Sequence, residues 1–117
     1  MKILFILNDA PYGSEKPYNA FRLANQLTKD NSSAEVRIFL MADAVQCAVG
    51  GQNTPNGYYN IERMLKLLLS KGSVVKLCGT CTEARGLQTI PLMEGIEMSN
   101  MAELSNWVVE SDKVLVF

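Results

Sequence analysis

Apolar residues along this chain follow two rhythms. Short unbroken runs, such as Lys2–Leu7 (K-I-L-F-I-L) and residues 35–41 (E-V-R-I-F-L-M), alternate with segments where apolar residues recur every three or four positions. An unbroken run of that length is the signature of a strand covered on both faces, whereas the longer rhythm is that of an amphipathic helix. The pattern predicts strands at 2–7, 35–41, 73–77, 95–98 and 113–117. A first helix starts at Ser14-Glu15-Lys16-Pro17, a capping hydroxyl followed by an early proline. It continues to about Lys29, with Phe21, Leu23, Ala24 and Leu27 facing inward. A short helix is expected over 42–49 and a longer one over 60–71, with its stripe at Ile61, Met64, Leu65 and Leu68 and Gly72 placed to stop it. The last helix spans 100–110, capped by Asn100 and packed through Leu104, Trp107 and Val108. Gly50–Tyr58, with three glycines and a proline, reads as a loop.

Strands separated by helices of this size imply right-handed crossovers and a parallel sheet. The expected fold is a single α/β domain over residues 1–117, a three-layer α/β/α sandwich around about five parallel strands. Strand order does not follow from the pattern. In such a sheet all carboxyl ends open on one edge, where ligands bind. The segments arriving there are Asn8–Ser14, Met41–Asp43, Cys78–Arg85 and Ser99-Asn100. Cys78 is therefore expected across a crevice from the first loop and near Asp43.

Composition narrows the function. The chain is 48% hydrophobic and 20% charged, with 11 basic and 12 acidic residues, so it lacks the basic footprint of a nucleic-acid binder. The first apolar run breaks at Asn8-Asp9, too short for a secretory core, and no run reaches membrane-spanning length. Three cysteines without a targeting segment suggest free thiols in a reducing cytoplasm. Histidine is absent, which removes imidazole-assisted nucleophiles.

The chemistry concentrates at V-V-K-L-C-G-T-C-T-E-A-R-G, residues 74–86. A strand runs directly into Cys78 and Cys81, with Arg85 following. A thiol among helix N–H groups and a guanidinium is a candidate nucleophile. The spacing admits a dithiol redox pair, half a zinc site, or two packed thiols. A zinc tetrahedron is left incomplete by a single pair without histidine, and no metal or cofactor is expected. Thioredoxins add an aromatic before the first cysteine and a hairpin, both missing here. Arg85 is expected to favour the Cys78 thiolate or to bind an anionic partner. The loop Asn8-Asp9-Ala10-Pro11-Tyr12-Gly13-Ser14 exposes N–H groups to an anion or partner but lacks a phosphate-binding fingerprint. Asp43, Gln52 and Tyr58 lie in or near loops at the same edge. Cys47 reads as core, and Met64, Met93, Met98 and Met101 as core or interface.

Taken in order, N-x-A-P-Y-G-S-E from Asn8, F-L-M-x-D-A-V from Phe39, Gly51-Gln52, Gly57-Tyr58 and L-C-x-T-C-T-x-x-R-G from Leu77 resemble the DsrE/DsrF-like proteins, especially their stand-alone YchN-like branch. The resemblance spans the whole chain. It implies an α/β/α subunit that assembles into a homo-hexamer. In sulfur-relay relatives, a cysteine at the position of Cys78 accepts sulfur as a persulfide and hands it to a partner protein. Cys81 is not general among those relay subunits. The resemblance thus points to a persulfide carrier working through Cys78, with Asn8, Pro11, Tyr12, Gly13, Ser14 and Asp43 as the crevice. Two alternatives stand beside it: a Cys78/Cys81 redox protein, and a non-catalytic oligomer that binds a small anion or a partner.

Overall fold

Residues 1–117 are described by a computed structural model. Five strands form one wholly parallel sheet: β1 (Lys2–Leu7), β2 (Glu35–Leu40), β3 (Val74–Cys78), β4 (Glu97–Ser99) and β5 (Lys113–Val116), in the order β4-β3-β2-β1-β5. The helices are α1 (Lys16–Asp30), α2 (Ile61–Ser70), α3 (Gly79–Ala84) and α4 (Met101–Glu110), with a 3-10 segment at Ala42–Ala48. The expected α/β architecture and the alternation of elements are both present.

The order of strands determines which face each helix covers. From β1 to β4 the chain steps in one direction, so right-handed crossovers place α1 and α2 on the same face. The return from β4 to β5 runs the opposite way, and the same handedness sends α4 to the other face. Alternation along each strand then divides the apolar residues. Phe5, Leu7, Ile38, Leu40, Val75 and Leu77 join Phe21, Ala24, Ile61, Leu65 and Leu68 in the main core. Only Leu4, Phe39, Leu104 and Trp107 form the core beneath α4.

Trp107 makes that thin layer viable. Its ring meets Phe39 edge-on with centroids 6.4 Å apart, while the Lys76 ammonium and Arg37 guanidinium lie 4.8 and 5.3 Å from its centre. Glu110 pairs with Arg37 at 2.8 Å and Glu103 with Lys76 at 3.5 Å, which ties both ends of α4 to the sheet.

Boundaries depart from the sequence expectation where side chains choose other partners. Ser14 does not cap α1: Glu15 occupies the cap position, and the Ser14 hydroxyl donates to Asp9 while accepting the Lys16 N–H. Asn60 and Asn100 do cap α2 and α4, accepting the N–H groups of Arg63 and Glu103. Gly72 follows α2 at φ +90°, a left-handed conformation that suits glycine. The fourth strand starts two residues late, at Glu97, because Gly95 turns with φ +92°. Leu23 is exposed rather than core, since it borders an open groove of about 500 Å³ between α1 and β5. Val108 is likewise exposed on α4. Met93 is buried as expected, whereas Met98 and Met101 are exposed at the β4–α4 turn.

Because α4 is the only helix on its face, Trp107→Ala is expected to cost about 3–5 kcal/mol. Urea denaturation followed by far-UV circular dichroism measures this, since the substitution removes the only tryptophan.

Candidate functional site

Cys78 closes β3 and is the N-cap of α3. Its extended backbone (φ −66°, ψ 116°) turns the chain out of the sheet, and its Sγ accepts the Cys81 N–H at 3.3 Å. The Thr82 hydroxyl, fully buried, donates to the Cys78 carbonyl at 2.7 Å. A Cβ at Gly79 would sit 3.4 Å from the Ser99 carbonyl and 3.5 Å from Met98 Cγ, which is ordinary contact, so β4 packs directly against the start of α3.

Cys81 lies one turn further and faces the end of β2. Its Sγ accepts the Ala42 N–H at 3.2 Å. Ala42 is held at φ +50°, which is uncommon for a residue with a side chain. Arg85 completes the connection, donating from Nε to Asp43 at 2.8 Å and from Nη1 to the Cys81 carbonyl at 3.0 Å. Two contacts thus join α3 and its C-cap to the start of the 3-10 segment, one through Cys81 and one through Arg85.

This arrangement corrects the expectation for Arg85. Its hydrogen bonds go to Asp43 and the Cys81 carbonyl, so its charge is matched by a carboxylate rather than offered to Cys78. Asp43 is near the cysteines as expected, but as the partner of Arg85. Burial pushes the Cys78 thiol above its ordinary range, and the neighbouring Cys81 thiol adds to this, against the opposing Cys81 N–H. Burial therefore works against the Cys78 thiolate. Cys47 is core as expected, and burial raises it to about 12.

The Asn8–Ser14 loop is bound up with other elements. The Asn8 N–H donates to the Phe117 carbonyl, and Gly13 turns back on the Ala10 carbonyl beside half-buried Pro11. Tyr12, at φ +66°, donates its hydroxyl to Gln52 Oε1 at 2.7 Å and accepts the Ile61 N–H at 3.0 Å. No hydrogen bond joins this loop to the cysteine segment. Its polar groups go to β5, α2 and the 49–60 loop, so the two expected halves of the crevice form separate networks.

Gln52 is the hub of that second network. Its amide nitrogen donates to the carbonyls of Cys47 and Val49, and its main-chain N–H donates to buried Glu62 at 2.8 Å. The Lys66 ammonium and that N–H hold the Glu62 carboxyl below the usual range. Tyr59 stacks between Tyr18 and Tyr58, with centroid distances of 4.1 and 4.5 Å. The Gly50–Tyr58 loop is therefore fastened. A second cavity, of about 700 Å³, opens at the opposite, amino-terminal edge of the sheet beside Arg37, Lys71 and Ser73.

The sequence reading missed the Ala42 N–H and the Thr82 hydroxyl. A left-handed alanine has no sequence signal, and a threonine in a helix is equally common on a surface.

Comparison with known proteins agrees with the fold. The DsrE/DsrF-like family model matches residues 1–117. Protein YchN of Escherichia coli K12 is 46% identical over 116 residues, covering 99% of this chain and 98% of that protein. Its crystal structure superposes with a TM-score of 0.93. An uncharacterised protein of Methanocaldococcus jannaschii is 42% identical over the full length of both chains. A protein of unknown function from Methanobacterium thermoautotrophicum shares the fold at 13% identity, with a TM-score of 0.79 over 99% of this chain and 98% of that one.

Iodoacetamide should label the three thiols unequally. Cys47 reacts only on unfolding, and the rate at Cys78 rises with pH to a midpoint above that of a free model thiol. Peptide mass spectrometry across a pH series reads this; a Cys78 midpoint below the model thiol would contradict the burial effect.

Proposed function

The chain belongs to the DsrE/DsrF-like family, and on that footing we propose that it is a cytoplasmic sulfur carrier whose Cys78 holds a persulfide between a donor and an acceptor protein. The supporting observation is the setting of Cys78: a half-buried sulfur at the carboxyl end of a parallel strand, with one main-chain N–H directed at it. The family is associated with sulfur relay. In the loading step the Cys78 thiolate attacks the outer sulfur of a donor persulfide. A bond forms between Cys78 Sγ and that sulfur, the donor S–S bond breaks, and the donor leaves as a thiolate. The proton of the Cys78 thiol passes to solvent or to the departing donor thiolate; unloading repeats the exchange with an acceptor thiolate, so no net oxidation occurs.

A raised thiol is compatible with this chemistry, because the ionised fraction of Cys78 attacks the donor, and burial lowers that fraction without abolishing it.

Cys81 favours a second reading, a Cys78/Cys81 dithiol, because the Cys78 sulfur is already 3.3 Å from the Cys81 main-chain nitrogen. One experiment separates the two. After incubation with a persulfide donor, intact mass should show one added sulfur on wild type and on Cys81→Ala, and none on Cys78→Ala. Loading that survives Cys78→Ala overturns the carrier assignment, while loss of two hydrogens in place of a gained sulfur favours the dithiol.

We also propose that the subunit self-assembles, with a hexamer as the expected state. Support comes from the thinly covered side of the sheet, where Val109 (83% exposed), Val116 (66%) and Met101 (63%) face outward. Light scattering should give a multiple of the 12.9 kDa subunit mass; the mass of one subunit would contradict it.

A further inference from the structure

Cys78 and Cys81 form an all-sulfur site that sulfur transfer does not fully use. As the N-cap and a residue one turn into α3, both side chains lie at the junction of β2 and β3. Each sulfur already accepts one main-chain N–H, from Cys81 at 3.3 Å and from Ala42 at 3.2 Å. Donors of this kind stabilise negative charge on sulfur, which two metal-bound thiolates would carry. No set of three or more histidines, cysteines, aspartates or glutamates is clustered to hold a metal. The Asp43 carboxylate, on the adjoining segment, is paired with Arg85. The other groups at this junction are soft or apolar: Met98 rests on Gly79, and Met41 packs with Cys78 on the core beneath α4.

We propose that Cys78 and Cys81 form a two-coordinate site for a soft monovalent cation, Cu(I). Thiolates select soft ions such as Cu(I), and a linear ion needs only two of them. Zn(II) wants four ligands, and this site supplies two. Binding is a ligand exchange: two S–H bonds are lost, two Cu–S bonds form, two protons leave, and copper stays Cu(I). The inference does not rest on the sulfur-carrier reading.

Its test is an anaerobic titration of the reduced, full-length protein with Cu(I), in competition with the chromophoric chelator bathocuproine disulfonate. Wild type should take one Cu(I) per chain. Cys78→Ser and Cys81→Ser should each weaken binding by more than the roughly 10–100-fold that loss of an outer-shell partner costs. Copper should also shield Cys78 and Cys81, but not Cys47, from iodoacetamide, a readout that needs no variant. Wild-type affinity in Cys81→Ser, one copper per two chains, or equal competition by Zn(II) would each overturn the site. A Cys81→Ser chain with the wild-type far-UV circular dichroism spectrum has an intact fold, so failure of copper binding is read independently of sulfur transfer.

Discussion

A parallel strand can be re-entered only by a crossover, and that crossover has one hand. In this chain the consequence is an uneven sandwich. Three steps in one direction stack α1 and α2 on one face, and the single reversal from β4 to β5 leaves α4 alone on the other. Ten residues of helix must then cover a sheet five strands wide. The layer beneath α4 is four residues, of which Trp107 is the largest. Charged stems from β2 and β3 flank the indole, and acids at both ends of α4 hold them. The apolar remainder at the edge of that face is what gives self-assembly a physical motive.

The same constraint positions the chemistry. Because β2 and β3 are neighbours and parallel, their carboxyl ends emerge side by side, and the segments following them meet at once. Cys81 accepts the Ala42 N–H, and Arg85 reaches Asp43. The loop after β1 is one strand further away and finds other partners: Gln52, Ile61 and the tyrosine stack. One edge of the sheet therefore carries two networks rather than the single crevice that convergence alone suggests.

Which parts of this were legible depended on whether the information is local. Strands that are continuous apolar runs, and a cap such as Asn100, announce themselves in a few consecutive residues. Cys78 was legible for the same reason, since a strand running into a cysteine is a local pattern. Arg85 was misread because its role depends on Asp43, 42 residues away in sequence. Ser14 was misread because its hydroxyl donates to Asp9, a choice made by a loop and not by helix propensity. Leu23 follows the helical rhythm yet lies in the open groove beside β5, and only strand order could reveal that.

The two cysteines come to differ through position alone. Cys78 ends a strand and sits at the lip of the α4 layer, so burial is the largest influence on its thiol and disfavours the thiolate. Cys81 faces the β2 junction, where its sulfur accepts the N–H of a left-handed alanine. Removing the Cys81 side chain would deprive that N–H of its acceptor, which gives Cys81 a structural reason to be present whatever passes through Cys78. The Cys81 sulfur is thus tied to the 3-10 segment, whereas the Cys78 sulfur accepts an N–H only from its own helix. That difference argues for Cys81 as the fixed member of the pair and Cys78 as the one that exchanges.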